Sequence, residues 1–156
     1  MTSPNDAGSS EPSTAKPYIL ACMPAHNEES TIAGVVVRAK RHVDRIVVCD
    51  DGSTDSTAEI ASGLGAMVLR HEGNIGYGAA LRTLFDFAQG TPADIVVTLD
   101  ADGQHDPADI PAVVEPVASG EADIAIGSRF LGRGEVPDHR KAGIKIINRV
   151  AKSGSY

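Results

Sequence analysis

The sequence contains no tryptophan, and aromatic residues make up only 4% of its 156 positions. So thin a supply argues against a stacking platform for single-stranded nucleic acid, and no nucleic-acid partner is expected. Two cysteines, Cys22 and Cys49, are too few for a disulfide framework or a four-cysteine zinc site. Both sit in apolar runs and read as small buried residues of a chain kept in a reducing, cytoplasmic compartment. No apolar run approaches the roughly 18 residues that a membrane-spanning helix needs. The two commonest nucleotide loops, Gly-x-Gly-x-x-Gly and Gly-Lys-Ser/Thr, are missing as well. The five histidines show no metal-ligand spacing and read as surface or turn residues, with His26 and His105 set apart by their polar strand-end neighbours.

What is present is a chain that can fold. Hydrophobic residues make up 42% and charged residues 22%, enough for one core and one domain. Residues 1–16 are rich in Ser, Pro and acid without an apolar signal core, so they read as a disordered leader to a single domain over 17–156. The net charge is −7, unevenly spread. Between Arg129 and Lys152 seven basic side chains face only Glu135 and Asp138, a local +5 suited to phosphate or an anionic membrane surface.

Short apolar or β-branched runs at Tyr18–Met23, Arg45–Cys49, Ala66–Leu69, Asp94–Leu99 and Asp123–Ile126 are bounded by Gly, Pro or Asp and read as strands. Helical lengths fall between them: Ser30–His42, with Ser30 or Thr31 as N-cap, then Ser56–Leu64, Gly78–Gln89 and Asp106–Val117. Pro107 suits a first turn, while Pro111 and Pro116 would shorten the last of these helices. A further helix is expected over Lys141–Ala151. Strand and helix in alternation imply an α/β fold with a mostly parallel sheet flanked by helices.

In such sheets ligands bind beyond the carboxyl ends of the strands, and those ends are polar here. Asp100 and Asp102 flank one alanine. Two carboxylates turned into one cavity repel unless a cation lies between them, and hard ions such as Mg²⁺ or Mn²⁺ favour such oxygens. Gln104 adds an amide oxygen, although an acidic turn alone would read the same way. Asp50-Asp51-Gly52-Ser53-Thr54-Asp55 closes another strand, where one residue caps the following helix and Asp51 is left to bind a base or ribose. Asn74-Ile75-Gly76-Tyr77-Gly78 fits either a plain turn or a close backbone approach to a ligand.

Pro24-Ala25-His26-Asn27-Glu28, Asp50 to Asp55, Asn74-x-Gly76-x-Gly78, Asp100-Ala101-Asp102-Gly103-Gln104 and Gly127-Ser128-Arg129-Phe130 occur in the order typical of glycosyltransferase family 2. Across Tyr18 to Asn148 the chain resembles the dolichyl-phosphate mannosyltransferase and polyprenyl-phosphate glycosyltransferase branch. The resemblance implies a GT-A fold and inverting, metal-dependent transfer from a GDP- or UDP-sugar to a polyprenyl phosphate. It implies that Pro24, Ala25, His26, Glu28, Asp51 and Ala101 bind the donor, and that Asp100, Asp102 and Gln104 hold Mg²⁺ or Mn²⁺. It assigns Asp102, Arg129 and Arg140 to catalysis, the arginines near donor or acceptor phosphate. His26 stands where relatives more often carry tyrosine. The basic stretch from Arg129 to Lys152 suits peripheral contact with the cytoplasmic membrane face, and Ile144, Ile146, Ile147 and Val150 read equally as core or as a homodimer face. Relatives continue beyond the point where this chain stops, so a short form that binds nucleotide sugar without efficient turnover is the alternative.

Overall fold

Four of the apolar runs become the strands of one parallel sheet, in the order β3-β2-β1-β4. The computed structural model describes residues 16–128, and those up to Ala125 lie in one compact unit. Strand β1 (Ile19–Ala25) is buried along its whole length, which suits a central strand made almost entirely of small and aliphatic side chains. It pairs with β2 (Arg45–Asp50) from Leu20↔Arg45 to Ala25↔Asp50, and with β4 (Ile95–Thr98) from Ile19↔Ile95 to Cys22↔Thr98. Strand β3 (Met67–Arg70) pairs with β2 and forms the far edge.

The pleat of β1 and β2 sorts the core into two layers. Ala21, Met23, Ile46 and Val48 meet helices α1 (Ile32–Ala39), α2 (Thr57–Gly63) and α4 (Ile110–Ala118) through Ile32, Val36, Ala61, Ile110 and Val114. Leu20, Cys22, Val47 and Cys49 point the other way, onto Ala80, Leu84 and Ala88 of α3 (Tyr77–Gln89). The result is a helix–sheet–helix sandwich. Among the described residues no helix is long and apolar enough to cross a membrane.

Three local expectations change. Thr31 does sit at the N-cap of α1, yet its hydroxyl does not cap the helix; it donates to the Glu28 carboxylate at 2.7 Å. The segment Asp106–Val117 splits into a 3₁₀ turn at Pro107–Asp109 and α4, and Pro116 lies inside α4 without shortening it. Pro116 falls in the last turn of that helix, where a missing N–H removes a single ladder bond. The run Asp123–Ile126 is not a strand: Ile124 and Ile126 stand 79% and 87% exposed, and no ladder is formed there among the described residues. Arg129, Arg140, the Lys141–Ala151 helix and all of the leader but Lys16 lie outside the described residues.

Candidate functional site

Chain order turns back at β1, which has β2 on one side and β4 on the other, and this is where doubly wound sheets open a crevice at their carboxyl edge. A cavity of about 370 Å³ lies there, lined by Pro24, Ala25, His26 and Glu28 after β1, Asp51 after β2, and Asp100, Ala101 and Asp102 after β4. Asn74, Tyr77 and Ala80 close its remaining side. All the expected donor-binding residues and both aspartates of the Asp-Ala-Asp segment thus share one space. Gln104 does not line it: Gly103 takes a φ of 76°, and the exposed Gln104 sends its backbone N–H back to Asp102 Oδ1 at 2.8 Å.

The loops after β1 and β2 are joined by hydrogen bonds in both directions. Asn27 N–H donates to Ser53 Oγ, Glu28 N–H to Thr57 Oγ1 and Glu29 N–H to Asp55 Oδ2. In return Thr54 N–H donates to Asn27 Oδ1 and Ser56 N–H to Glu29 Oε2. Asn27 sits at φ 56°, a left-handed conformation that asparagine tolerates better than most residues. This network fixes the His26 ring. Because Thr54 N–H occupies Asn27 Oδ1, the amide nitrogen of Asn27 faces His26 Nε2 at 3.2 Å and donates to it. His26 Nδ1 then carries the proton, which it donates to the Asp51 carbonyl at 2.9 Å. Both ring nitrogens are occupied, and the ring forms part of the cavity wall.

The two aspartates that follow Cys49 divide their work. Asp50 is fully buried; its Oδ1 accepts from Ser53 N–H at 3.0 Å and its Oδ2 pairs with Arg70 Nε at 3.0 Å. Asp51 gathers the opposite loop. Its Oδ1 accepts from Ile75 N–H at 3.0 Å and from His71 Nδ1 at 2.7 Å, and its Oδ2 from Gly76 N–H at 2.8 Å. Burial works to raise the Asp51 carboxyl, but the hydrogen bonds from His71, Ile75 and Gly76 outweigh it and hold the group below the ordinary aspartate range. His71 passes the constraint on to α3, since Thr83 Oγ1 lies 2.9 Å from its Nε2. Gly52 makes this junction sterically possible. Its φ is 70°, and a Cβ there would lie 2.4 Å from the backbone carbon of Gly73.

Across the cavity, Asp100 Oδ1 accepts from the Tyr77 hydroxyl at 3.2 Å. Asp100 N–H donates to His105 Nδ1 at 3.1 Å, so that nitrogen is an acceptor and its 3.6 Å approach to Asp100 Oδ2 is not an ion pair. Burial and the adjacent charges of Asp100 and Asp102 push the Tyr77 phenol up, which keeps it protonated and donating. A carboxylate offers about four acceptor positions, so Asp100 and Asp102 retain capacity beyond these bonds. Their hard oxygens fit Mg²⁺ or Mn²⁺. Among the described residues there is no cluster of three or more His, Cys, Asp and Glu. Asp100 and Asp102 are, among the described residues, the carboxylates at this end of the cavity that would hold such an ion.

Residues 20–153 match the family Glycosyl transferase family 2. The chain belongs to that family. As a family 2 chain it is 36% identical over 134 residues to the UDP-N-acetylglucosamine–dolichyl-phosphate N-acetylglucosaminyltransferase of Methanococcus voltae, covering 74% of this chain and 53% of that protein. It is 34% identical over 147 residues to the dolichol-phosphate mannosyltransferase of Pyrococcus furiosus, covering 85% and 41% respectively. Glucosyl-3-phosphoglycerate synthase of Mycobacterium tuberculosis, solved with Mn²⁺, UDP and glucosyl-3-phosphoglycerate, superposes with a TM-score of 0.56 at 33% identity, over 67% of this chain and 41% of that one. The chain spans about half or less of the length of these relatives. The parallel sheet and these neighbours establish the expected GT-A architecture.

Three contributors to this family 2 site escape a reading of motifs alone. His71 and Thr83 act through side-chain contacts that no local spacing announces. Tyr77 sits between the two glycines of the Asn74–Gly78 segment, and its reach to Asp100 depends on how β3 and β4 are ordered in the sheet.

Proposed function

We propose that the chain carries the donor and metal site of an inverting glycosyltransferase, which moves a sugar from a nucleoside diphosphate to a polyprenyl phosphate. One observation carries the reading: Asp100 and Asp102 face the Pro24–Glu28 and Asp51 walls across a single cavity at the switch point of the sheet. The names of the relatives support the acceptor class, and Mn²⁺ with UDP in the solved neighbour supports the cofactor and one donor base.

In this reading the nucleotide lies against Pro24, Ala25 and the His26 ring, with Glu28 and Asp51 behind it. Asp100 and Asp102 hold Mg²⁺ or Mn²⁺, which supplies charge neutralisation for the departing diphosphate. The chain's own part is orientation: the cross-braced loops fix the nucleotide, and the Asp51 clamp fixes the wall that carries Tyr77. A phosphate acceptor is already anionic near neutral pH and needs no strong base. A His26 ring with both nitrogens engaged is consistent with that chemistry. Arg129 and Arg140 are assigned to donor or acceptor phosphate by family resemblance alone. A prenyl-linked acceptor would be met at a membrane surface.

The test measures UDP or GDP release from a panel of nucleotide sugars with Mn²⁺ or Mg²⁺ and a short polyprenyl phosphate. Metal-dependent release together with a glycosylated lipid is expected. Donor binding without a glycosylated product would reassign the chain to a nucleotide-sugar-binding module. Absence of both binding and release would overturn the reading.

A further inference from the structure

The Asn74–Gly78 segment joins two parts of the cavity that the proposed function treats separately. On one side Asp51 grips the backbone N–H groups of Ile75 and Gly76. On the other the next side chain, Tyr77, places its hydroxyl 3.2 Å from Asp100 Oδ1. Little packing holds the ring in place: Tyr77 is 59% exposed, and a Cβ at Gly76 or Gly78 would meet nothing within 4 Å. What directs it is the pinned backbone behind it and the carboxylate ahead of it.

We infer that Tyr77 is a positioning residue for the cation site: by donating to Oδ1 it fixes the rotation of the Asp100 carboxylate and commits Oδ2 to the metal. This rests on the metal-dependent reading above and adds a residue to it. A ligating carboxylate that turns freely loses rotational entropy when a cation binds, whereas one already hydrogen-bonded in place loses less. Groups that orient metal ligands in this way commonly contribute about 10–100-fold in metal affinity. An exposed bond of 3.2 Å belongs at the lower end of that range.

The experiment titrates Mn²⁺ into the full chain with UDP present and follows the free-ion electron paramagnetic resonance signal. It compares wild type, Tyr77→Phe, Tyr77→Ala and Asp100→Asn. Circular dichroism melts without metal check that each variant is folded, and the exposure of Tyr77 predicts unchanged melting for both of its substitutions. Mn²⁺ should bind about 10-fold more weakly to Tyr77→Phe and to Tyr77→Ala alike, because both lack the hydroxyl. A Tyr77→Phe affinity within twofold of wild type overturns the inference, and weakening only in Tyr77→Ala overturns it in favour of a ring contact with the nucleotide. If wild type and Asp100→Asn leave the free-ion signal equally unchanged, the metal site itself falls and takes this inference with it. That outcome is distinguishable from one in which wild type binds and only the Tyr77 comparison fails.

Discussion

Replacing Asp51 with asparagine tests the clamp at the centre of the site. Three donors converge on this side chain: His71 Nδ1 and Ile75 N–H on one oxygen and Gly76 N–H on the other. Asparagine keeps one acceptor oxygen and turns an NH₂ toward whichever donor remains. Left facing His71 and Ile75, it sets N–H against the Gly76 N–H in a site where the native side chain is only 5% exposed. A hydrogen bond to a charged group contributes about 1.5–3 kcal/mol, and stranding a buried donor costs about 1–3 kcal/mol. A loss of about 2–4 kcal/mol follows for Asp51→Asn at pH 7, a large share of the roughly 5–15 kcal/mol available to a domain. The pH dependence sharpens the test. The folded carboxyl is held below the ordinary aspartate value, so its contribution is fully present above the unfolded pKa of about 3.9 and is lost as pH falls through the folded pKa. Protonated Asp51 resembles asparagine. The gap in urea midpoints between wild type and variant, read by circular dichroism, should therefore be widest near neutral pH and close below about pH 4. Equal stability at pH 7, or a gap that persists undiminished at pH 2, would refute the reasoning.

Other perturbations reach different parts of the structure. Gly52→Ala combines a left-handed backbone with a 2.4 Å clash against Gly73 and should cost about 2–5 kcal/mol, measurable as a lower urea midpoint; a variant of wild-type stability would show that the two loops can separate freely. Asp102→Ala should lower sugar transfer by a factor corresponding to about 3–4 kcal/mol or more while leaving the melting temperature nearly unchanged, and near-normal turnover would remove the metal from the mechanism. Burial pushes the Cys22 and Cys49 thiols up to about 11, with Asp51 and Asp50 adding to the effect at Cys49. Roughly a thousandth of each is thiolate at pH 8 even when reagent can reach it, so both should react with iodoacetamide only after denaturation. Mass spectrometry of the native protein showing rapid labelling would contradict their placement.

Much of this architecture could be read in advance because its causes are local. The β1 run is apolar from Ile19 to Met23 and is followed by a polar turn, and the same holds for β2 and β4, so period and punctuation suffice to find the sheet and its functional edge. Asp100 and Asp102 were legible for the same reason. The failures share a different cause. A run such as Asp123–Ile126 has strand composition, but a strand exists only with a neighbour to pair with, and composition does not name that neighbour. Capping is only half the story at this turn: Asp55 Oδ1 does accept from Thr57 N–H at the start of α2, but Asp55 Oδ2, Ser53 Oγ and Thr57 Oγ1 turn to the backbone of a loop 26 to 29 residues away, a choice set by how β1 and β2 align. Asp51 lines the cavity as an acceptor expected for a base or ribose should, but no motif reveals the internal donors that share its carboxylate. Only the folded chain brings His71, Ile75 and Gly76 to it.

The bracing between the first two loops bears on how this site can be inherited. Asn27 receives Thr54 through its side chain and reaches Ser53 through its backbone, so neither loop holds its shape without the other. A lineage that altered the Ser53–Thr54 turn would lose the mould that sets the His26 ring at the cavity wall, and a matching change at Asn27 would have to accompany it. These two loops should therefore drift by paired steps, and a single-letter exchange borrowed from a cousin with a different turn should be poorly received.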